Sequence, residues 1–103
     1  MNDDFVSSDL AKKLKEKGFR YNKNNLLDRL CMENQINHPT ISQVLKWLRE
    51  EHVFHVEIMR EKYNGWMYFI QLLDASYVMN HNGFDCYESA ALAGITYCLD
   101  NLI

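Results

Sequence analysis

Residues 54–73 read FHVEIMREKYNGWMYFIQLL, and their pattern of apolar residues is the clearest structural signal in the chain. In its first half apolar residues occupy every second position, which predicts a strand with one face on a core. The second half is apolar on both faces apart from Gln71, and Asn64-Gly65 between the halves is a hairpin signal. The stretch therefore predicts an antiparallel β-hairpin over about residues 53–73 whose second strand needs cover on both faces.

The turn leaves two registers open. A two-residue turn would place Ile58 opposite Gln71 and would set polar residues against apolar ones on both faces. A three-residue loop over 63–65 places Ile58 opposite Ile70 instead. Because the hydrophobic pattern specifies register, we favour the three-residue loop, in which Gly65 takes the left-handed position of a bulged turn.

Helical periodicity predicts amphipathic helices on both sides of the hairpin. The three segments are 7–17, 40–51 and 85–102. Thr40 and Ser7 or Ser8 stand where N-caps belong, and residues 85–88 resemble a capping box. A short apolar run at 26–31 has helical spacing too, although its pattern does not distinguish a helix from a strand. We therefore predict an α+β fold in which three or four helices pack the hairpin.

Length and composition fit a single domain spanning residues 1–103, with 48% hydrophobic and 24% charged residues. No apolar stretch approaches the ~20 residues that cross a bilayer. The first residues are acidic, whereas a signal peptide begins with basic residues. Three cysteines without paired spacing favour reduced thiols. These features predict a cytoplasmic protein with no membrane segment.

Two motifs resemble a known family. They are PTISQVLKWLRE at 39–50 and YESAALAGI at 87–95. With the strand pair between them, they make residues 39–103 similar to a family of small uncharacterised proteins from Bacteroides-type bacteria and their phages and mobile elements. The family pattern has a small hydroxyl residue where this chain has Cys86, and an aromatic-rich extended stretch where residues 19–38 are short and polar. The resemblance implies no activity.

The sequence contains no recognisable catalytic or metal site. His52 and His55 belong to neither a CxxC nor an HExxH pattern, and the strand adds only Glu57 beside His55, short of the three or four ligands of a zinc site. Cys86 is the one candidate nucleophile, since the start of a helix stabilises the thiolate anion. No histidine adjoins it in sequence as a base, because His81 is five residues upstream. We therefore predict a non-enzymatic protein with no catalytic residue, no cofactor and no metal.

A surplus of large apolar side chains around the hairpin favours an interaction surface, because aromatic residues and Met are enriched in protein interfaces. The predicted interface residues are Tyr63, Trp66, Met67 and Phe69. We expect a homo-oligomer, most simply a homodimer, because a two-fold interface covers the second sheet face and a strand edge together. An unidentified protein is the other partner that such a surface admits.

Nucleic-acid binding is the alternative function. The order of three helices followed by a hairpin is that of a winged helix, in which helix 40–51 would be the recognition helix. Its contact residues would be Gln43, Lys46 and Arg49, with Lys62 at the tip of the wing. The net charge is −3, and no lysine or arginine follows Lys62. A DNA-binding domain usually has a basic footprint, so we rank nucleic acid below protein as the partner.

Overall fold

The computed structural model describes residues 5–20, 28, 38–63 and 65–103. The elements in chain order are α1 (Ser8–Glu16), α2 (Ile41–Glu51), β1 (Phe54–Glu61), β2 (Gly65–Leu72), β3 (Tyr77–Phe84) and α3 (Tyr87–Tyr97), which continues into a π-helical turn over Cys98–Leu102. The predicted α+β class is confirmed, with three α-helices and a three-stranded sheet among the described residues. The predicted helix at 26–31 lies outside these residues, apart from Asp28.

The sheet is antiparallel with strand order β1-β2-β3, so β2 is the central strand. The predicted hairpin is confirmed as β1 and β2, but the sequence pattern does not predict β3. The sequence of β3, YVMNHNGF, contains two asparagines and a glycine, which are depleted in strands. Its pairing with β2 also shifts register between Trp66 and Tyr68 and again between Ile70 and Gln71. These two irregularities place an extra residue in β3 each time, as in a β-bulge, and disrupt its alternation.

The register of β1 and β2 differs from the predicted one by two residues. Ile58 lies opposite Tyr68, so the predicted pairing with Ile70 is wrong. Pairing instead begins at Glu61 and Gly65, and a three-residue loop connects them. A shift of two keeps every side chain on the same face, which is why alternation alone does not distinguish these registers. Gly65 has the predicted positive φ, 76°, but as the first residue of β2.

Helices α2 and α3 pack on the face formed by the even-numbered residues of β1 and β2. Val56, Tyr68 and Ile70 are buried there in one core cluster with apolar residues of all three helices. The approach of α3 is close at Gly94, where a Cβ would lie 3.0 Å from Cγ of Tyr68 and 3.1 Å from Cγ1 of Val56. A glycine in the middle of a helix lowers helix stability by about 1 kcal/mol relative to alanine. The close approach of α3 to the sheet explains why a glycine is present at position 94 despite this cost.

Helix α1 is capped as predicted and is joined to the end of α3. The Ser7 hydroxyl accepts a hydrogen bond from the backbone N–H of Leu10 at 3.2 Å. Lys13 Nζ lies 3.1 Å from an Asp100 carboxylate oxygen, and Lys17 Nζ donates to the carbonyl of Ile103 at 3.0 Å. These two contacts therefore join the N-terminal helix to the C-terminal helical turn.

The start of α3 differs from the predicted capping box. Cys86 is the N-cap, it makes no side-chain cap hydrogen bond, and the helix begins at Tyr87. The N-cap is therefore one residue later than the predicted Asp85, and the capping box predicted over residues 85–88 is not formed. The Cys86 thiol instead lies 3.2 Å from the hydroxyl of Ser89.

Candidate interaction surface

The face of the sheet away from the helices is called the open face below. Its side chains belong to the odd-numbered residues of β1 and β2 and to the β3 residues paired with them. They are His55, Glu57, Met59 and Glu61 on β1, Met67, Phe69 and Gln71 on β2, and Tyr77 and Asn80 on β3. None of these side chains belongs to the core cluster under the helices. The part of the chain that the structure describes thus leaves this face without a covering helix.

The centre of the open face is apolar and crosses all three strands. Met59 is 37% exposed, Tyr77 is 61% exposed, and Phe69 between them is half-buried. The Phe69 and Tyr77 rings pack together with their centroids 5.4 Å apart. Met67 is only 8% exposed, so it presents little surface of its own. The accessible apolar path is therefore Met59, Phe69 and Tyr77.

Polar groups surround this apolar path. His55 Nε2 lies 3.9 Å from a Glu57 carboxylate oxygen, with both side chains partly exposed. On β3, the Tyr77 hydroxyl donates to the Asn80 side-chain oxygen at 3.3 Å. One carboxylate oxygen of Glu61 is buried and has no hydrogen-bond partner among the described residues. An apolar centre with a polar rim is the anatomy of a protein–protein interface.

The structure separates the four predicted interface residues. Met67 and Phe69 lie on the open face. Trp66 points to the helical side, where its ring packs edge-on against Tyr87 at a centroid distance of 5.9 Å. Tyr63 is at the hairpin tip, 85% exposed, with Lys62 Nζ 5.3 Å from its ring centroid. Tyr77 is the main residue that sequence reasoning misses, because it lies on the strand that the pattern does not predict.

No family model, curated protein or solved structure matches the chain.

The residues of the nucleic-acid alternative do not form one exposed basic surface. Gln43 is 7% exposed, and its side chain is engaged: its oxygen accepts from the Thr40 N–H at 2.8 Å, and its amide nitrogen donates to Asp28 at 2.8 Å. Lys46 and Arg49 are half-buried on α2. Lys62 is at the hairpin tip, about 25 Å along β1 from the end of α2 at 3.3 Å per residue.

A cleft beside α2 contains charges of both signs. Phe19 and Trp47 form its aromatic wall, with ring centroids 5.4 Å apart. Its charged lining residues are Arg20, Lys46, Asp28, Glu50 and Glu51. With two basic and three acidic side chains, this cleft has no preference for a phosphate.

The described part of the chain contains two free cysteines, one exposed and one buried. Within residues 5–20, 28, 38–63 and 65–103, no three His, Cys, Asp or Glu side chains come together as metal ligands. Burial raises the pKa of the Cys98 thiol to about 12, which keeps it protonated and unreactive. Cys86 is an exposed free thiol. None of the described helices is long and apolar enough to span a bilayer.

Proposed function

We propose that this chain is a non-enzymatic protein-interaction module that forms a homodimer through the open face of its sheet. The observation that carries the proposal is the apolar path of Met59, Phe69 and Tyr77, exposed at the centre of a sheet whose opposite face is covered by helices. Its rim of polar side chains gives the path the pattern of an interface. The likeness of residues 39–103 to small proteins of Bacteroides-type bacteria and their mobile elements belongs to the same proposal and adds no activity to it.

The size of the open face sets the strength that we expect. Three strands of eight residues cover about 14 by 26 Å at ordinary strand spacings, which is less than the roughly 800 Å² per partner of a standard interface. Burying a large apolar side chain fully contributes about 1.5–3 kcal/mol. Phe69 and Tyr77 supply most of this, since Met67 is already buried in the monomer. We therefore expect a weak dimer that dissociates in the micromolar range.

Size-exclusion chromatography with light scattering, over loading concentrations from about 1 to 100 µM, tests the proposal. The mass should rise from one chain to two with concentration. Phe69→Asp places a charge in the centre of the interface and should hold the mass at one chain, with an unchanged circular dichroism spectrum. Tyr63→Asp makes the same kind of change at the hairpin tip, off the open face, and should leave dimerisation intact.

Two results would contradict this assignment. One is a folded wild-type protein with the mass of a single chain at every concentration. The other is a dimer that survives Phe69→Asp and dissociates on Tyr63→Asp, which would move the interface to the hairpin tip.

A cytoplasmic location is part of the proposal. Cys86 is exposed and Cys98 is unpaired. Free thiols, one of them on the surface, suit a reducing compartment.

A further inference from the structure

Strand β1 is a regular edge strand. It pairs with β2 without interruption from Phe54 opposite Leu72 to Glu61 opposite Gly65, and among the described strands it pairs with no other. The opposite edge, β3, has two register shifts and a glycine at positive φ, Gly83. Bulges are devices that protect a sheet edge from adding a further strand. The edge at β1 has no bulge and no proline, so of the two edges formed by the described strands it is the better suited to accept a new strand.

The backbone groups on this edge can be assigned from the ladder. The Leu73 N–H donates to the Val53 carbonyl at 3.2 Å, so Val53 directs its carbonyl to β2. In an antiparallel pair the inward groups recur at every second residue, and the odd-numbered residues of β1 therefore bond to β2. The residues whose N–H and C=O groups point outward are Phe54, Val56, Ile58 and Arg60.

The side chains flanking this edge differ between the two faces. On the helical side lie Phe54 and Ile58, both half-buried and apolar. On the open side lie Glu57 and Glu61, and His55 Nε2 is 3.9 Å from a Glu57 carboxylate oxygen. Glu61 makes no ion pair with another described residue, and one of its oxygens is buried without a donor. A strand added here would therefore meet apolar side chains and, near the hairpin end, Arg60 on one face. On the other face it would meet the two carboxylates together with His55 and Met59.

We propose that the free edge of β1 binds an extended segment of another protein in which apolar residues alternate with Lys or Arg. The segment adds a fourth strand, bonding to the outward backbone groups of β1, as in β-augmentation. Its apolar side chains lie beside Phe54 and Ile58, and its basic side chains lie beside Glu57 and Glu61. This binding goes beyond the dimer proposed above, because it uses the outward backbone groups of β1, although it shares Glu57 and Glu61 with the open face.

A second copy of β1 fits this edge less well. Two-fold antiparallel pairing centred on Glu57 sets two carboxylates directly opposite each other, which is destabilising. Moving the centre to Ile58 sets Arg60 opposite Val56 on the apolar side. Centring on Val56 sets His55 opposite Glu57, but it pairs only residues 54–58 of the two strands and leaves Glu61 without a partner. A basic partner strand can pair with the whole of β1 and with both carboxylates.

A labelled heptapeptide of alternating lysine and valine, acetylated and amidated, is a suitable probe. Fluorescence anisotropy should show saturable binding to the full chain, and the same peptide with glutamate for lysine should not bind. In nitrogen-15 NMR spectra, the amides of Phe54, Val56, Ile58 and Arg60 should shift and become protected from hydrogen exchange. Glu57→Lys should weaken binding, and added salt should weaken it further.

Arg60→Pro against Arg60→Ala isolates the backbone contribution. Both remove the side chain, but only proline removes an outward N–H, which an edge strand tolerates. We expect Arg60→Pro to bind about 3–10-fold more weakly than Arg60→Ala, the effect of one lost hydrogen bond. If Arg60→Pro does not fold, N-methylation of alternate residues in the peptide is the substitute test. It removes the N–H donors of the peptide that would bond to β1 and should likewise weaken binding.

Three results would overturn the proposal. Equal binding of the lysine and glutamate peptides would show that charge plays no part. Amide shifts confined to β3 or the open face would place the peptide elsewhere. A dimer that is lost on Arg60→Pro but retained by Phe69→Asp would show that a second copy occupies the edge. Conversely, peptide binding retained by a monomeric Phe69→Asp variant supports the edge site independently of the dimer.

Discussion

Gly65 satisfies two requirements at the β1–β2 connection. Its φ of 76° lies in the left-handed region, where a side chain costs about 1–2 kcal/mol. A Cβ at this position would also lie 2.5 Å from the backbone oxygen of Phe84. The β3 backbone therefore leaves no room for a side chain at position 65. Gly83 shares the positive φ, 91°, but has open space around it. The two glycines therefore separate the conformational cost of a side chain from the steric one.

We predict that Gly65→Ala lowers the free energy of unfolding by about 3 kcal/mol or more, because β3 must move away in addition to the backbone strain. Gly83→Ala, the matched control, should cost about 1–2 kcal/mol from strain alone. Urea unfolding of the two variants measures the difference. Equal losses of unfolding free energy in the two variants would mean that β3 moves away from the added methyl group at no energetic cost.

Elements with long, regular periodicity could be predicted from the sequence, and elements with interrupted periodicity could not. The stripe of α2 and the alternation of β1 give clear signals, whereas the extra residues in β3 conceal its pattern. The candidate surface follows the same division. Phe69 was predictable from the surplus of apolar residues on β2, and Tyr77 was not. Trp66 was assigned to the interface because a strand apolar on both faces does not indicate which face the helices cover.

Cys86, the N-cap of α3, is a position where a hydroxyl group should stabilise the helix. Cys86 has extended cap geometry, with φ −150° and ψ 167°, but its side chain makes no cap hydrogen bond. A hydroxyl in its place can accept from the first turn, so we expect Cys86→Ser to raise the free energy of unfolding by about 1 kcal/mol. Cys86→Ala, which removes the thiol and adds no acceptor, is the control. Thermal and urea unfolding should rank serine above cysteine and alanine; a serine variant no more stable than alanine would contradict the cap geometry.

Across the whole molecule, charge argues against a nucleic-acid partner. The net charge is −3, and basic Arg20 and Lys46 share their cleft with three carboxylates. We predict no retention of the protein on a non-specific DNA duplex at about 50 mM salt, where counterion release makes such binding strongest. Retention that disappears when Lys46→Glu and Arg49→Glu are combined would instead establish α2 as a DNA-binding helix.

The contact between α1 and the last helical turn also bears on when the fold can be completed. Lys13 and Asp100 are 87 residues apart in sequence, and Lys17 and Ile103 are 86 apart. A ribosome adds about 5–20 residues per second, so α1 is synthesised about 4–17 seconds before its partners. During that interval Leu10 and Leu14 have no finished core to enter. A nascent chain therefore carries an amphipathic helix with its apolar side uncovered, which is the kind of segment that chaperones shield until its packing partners have been made.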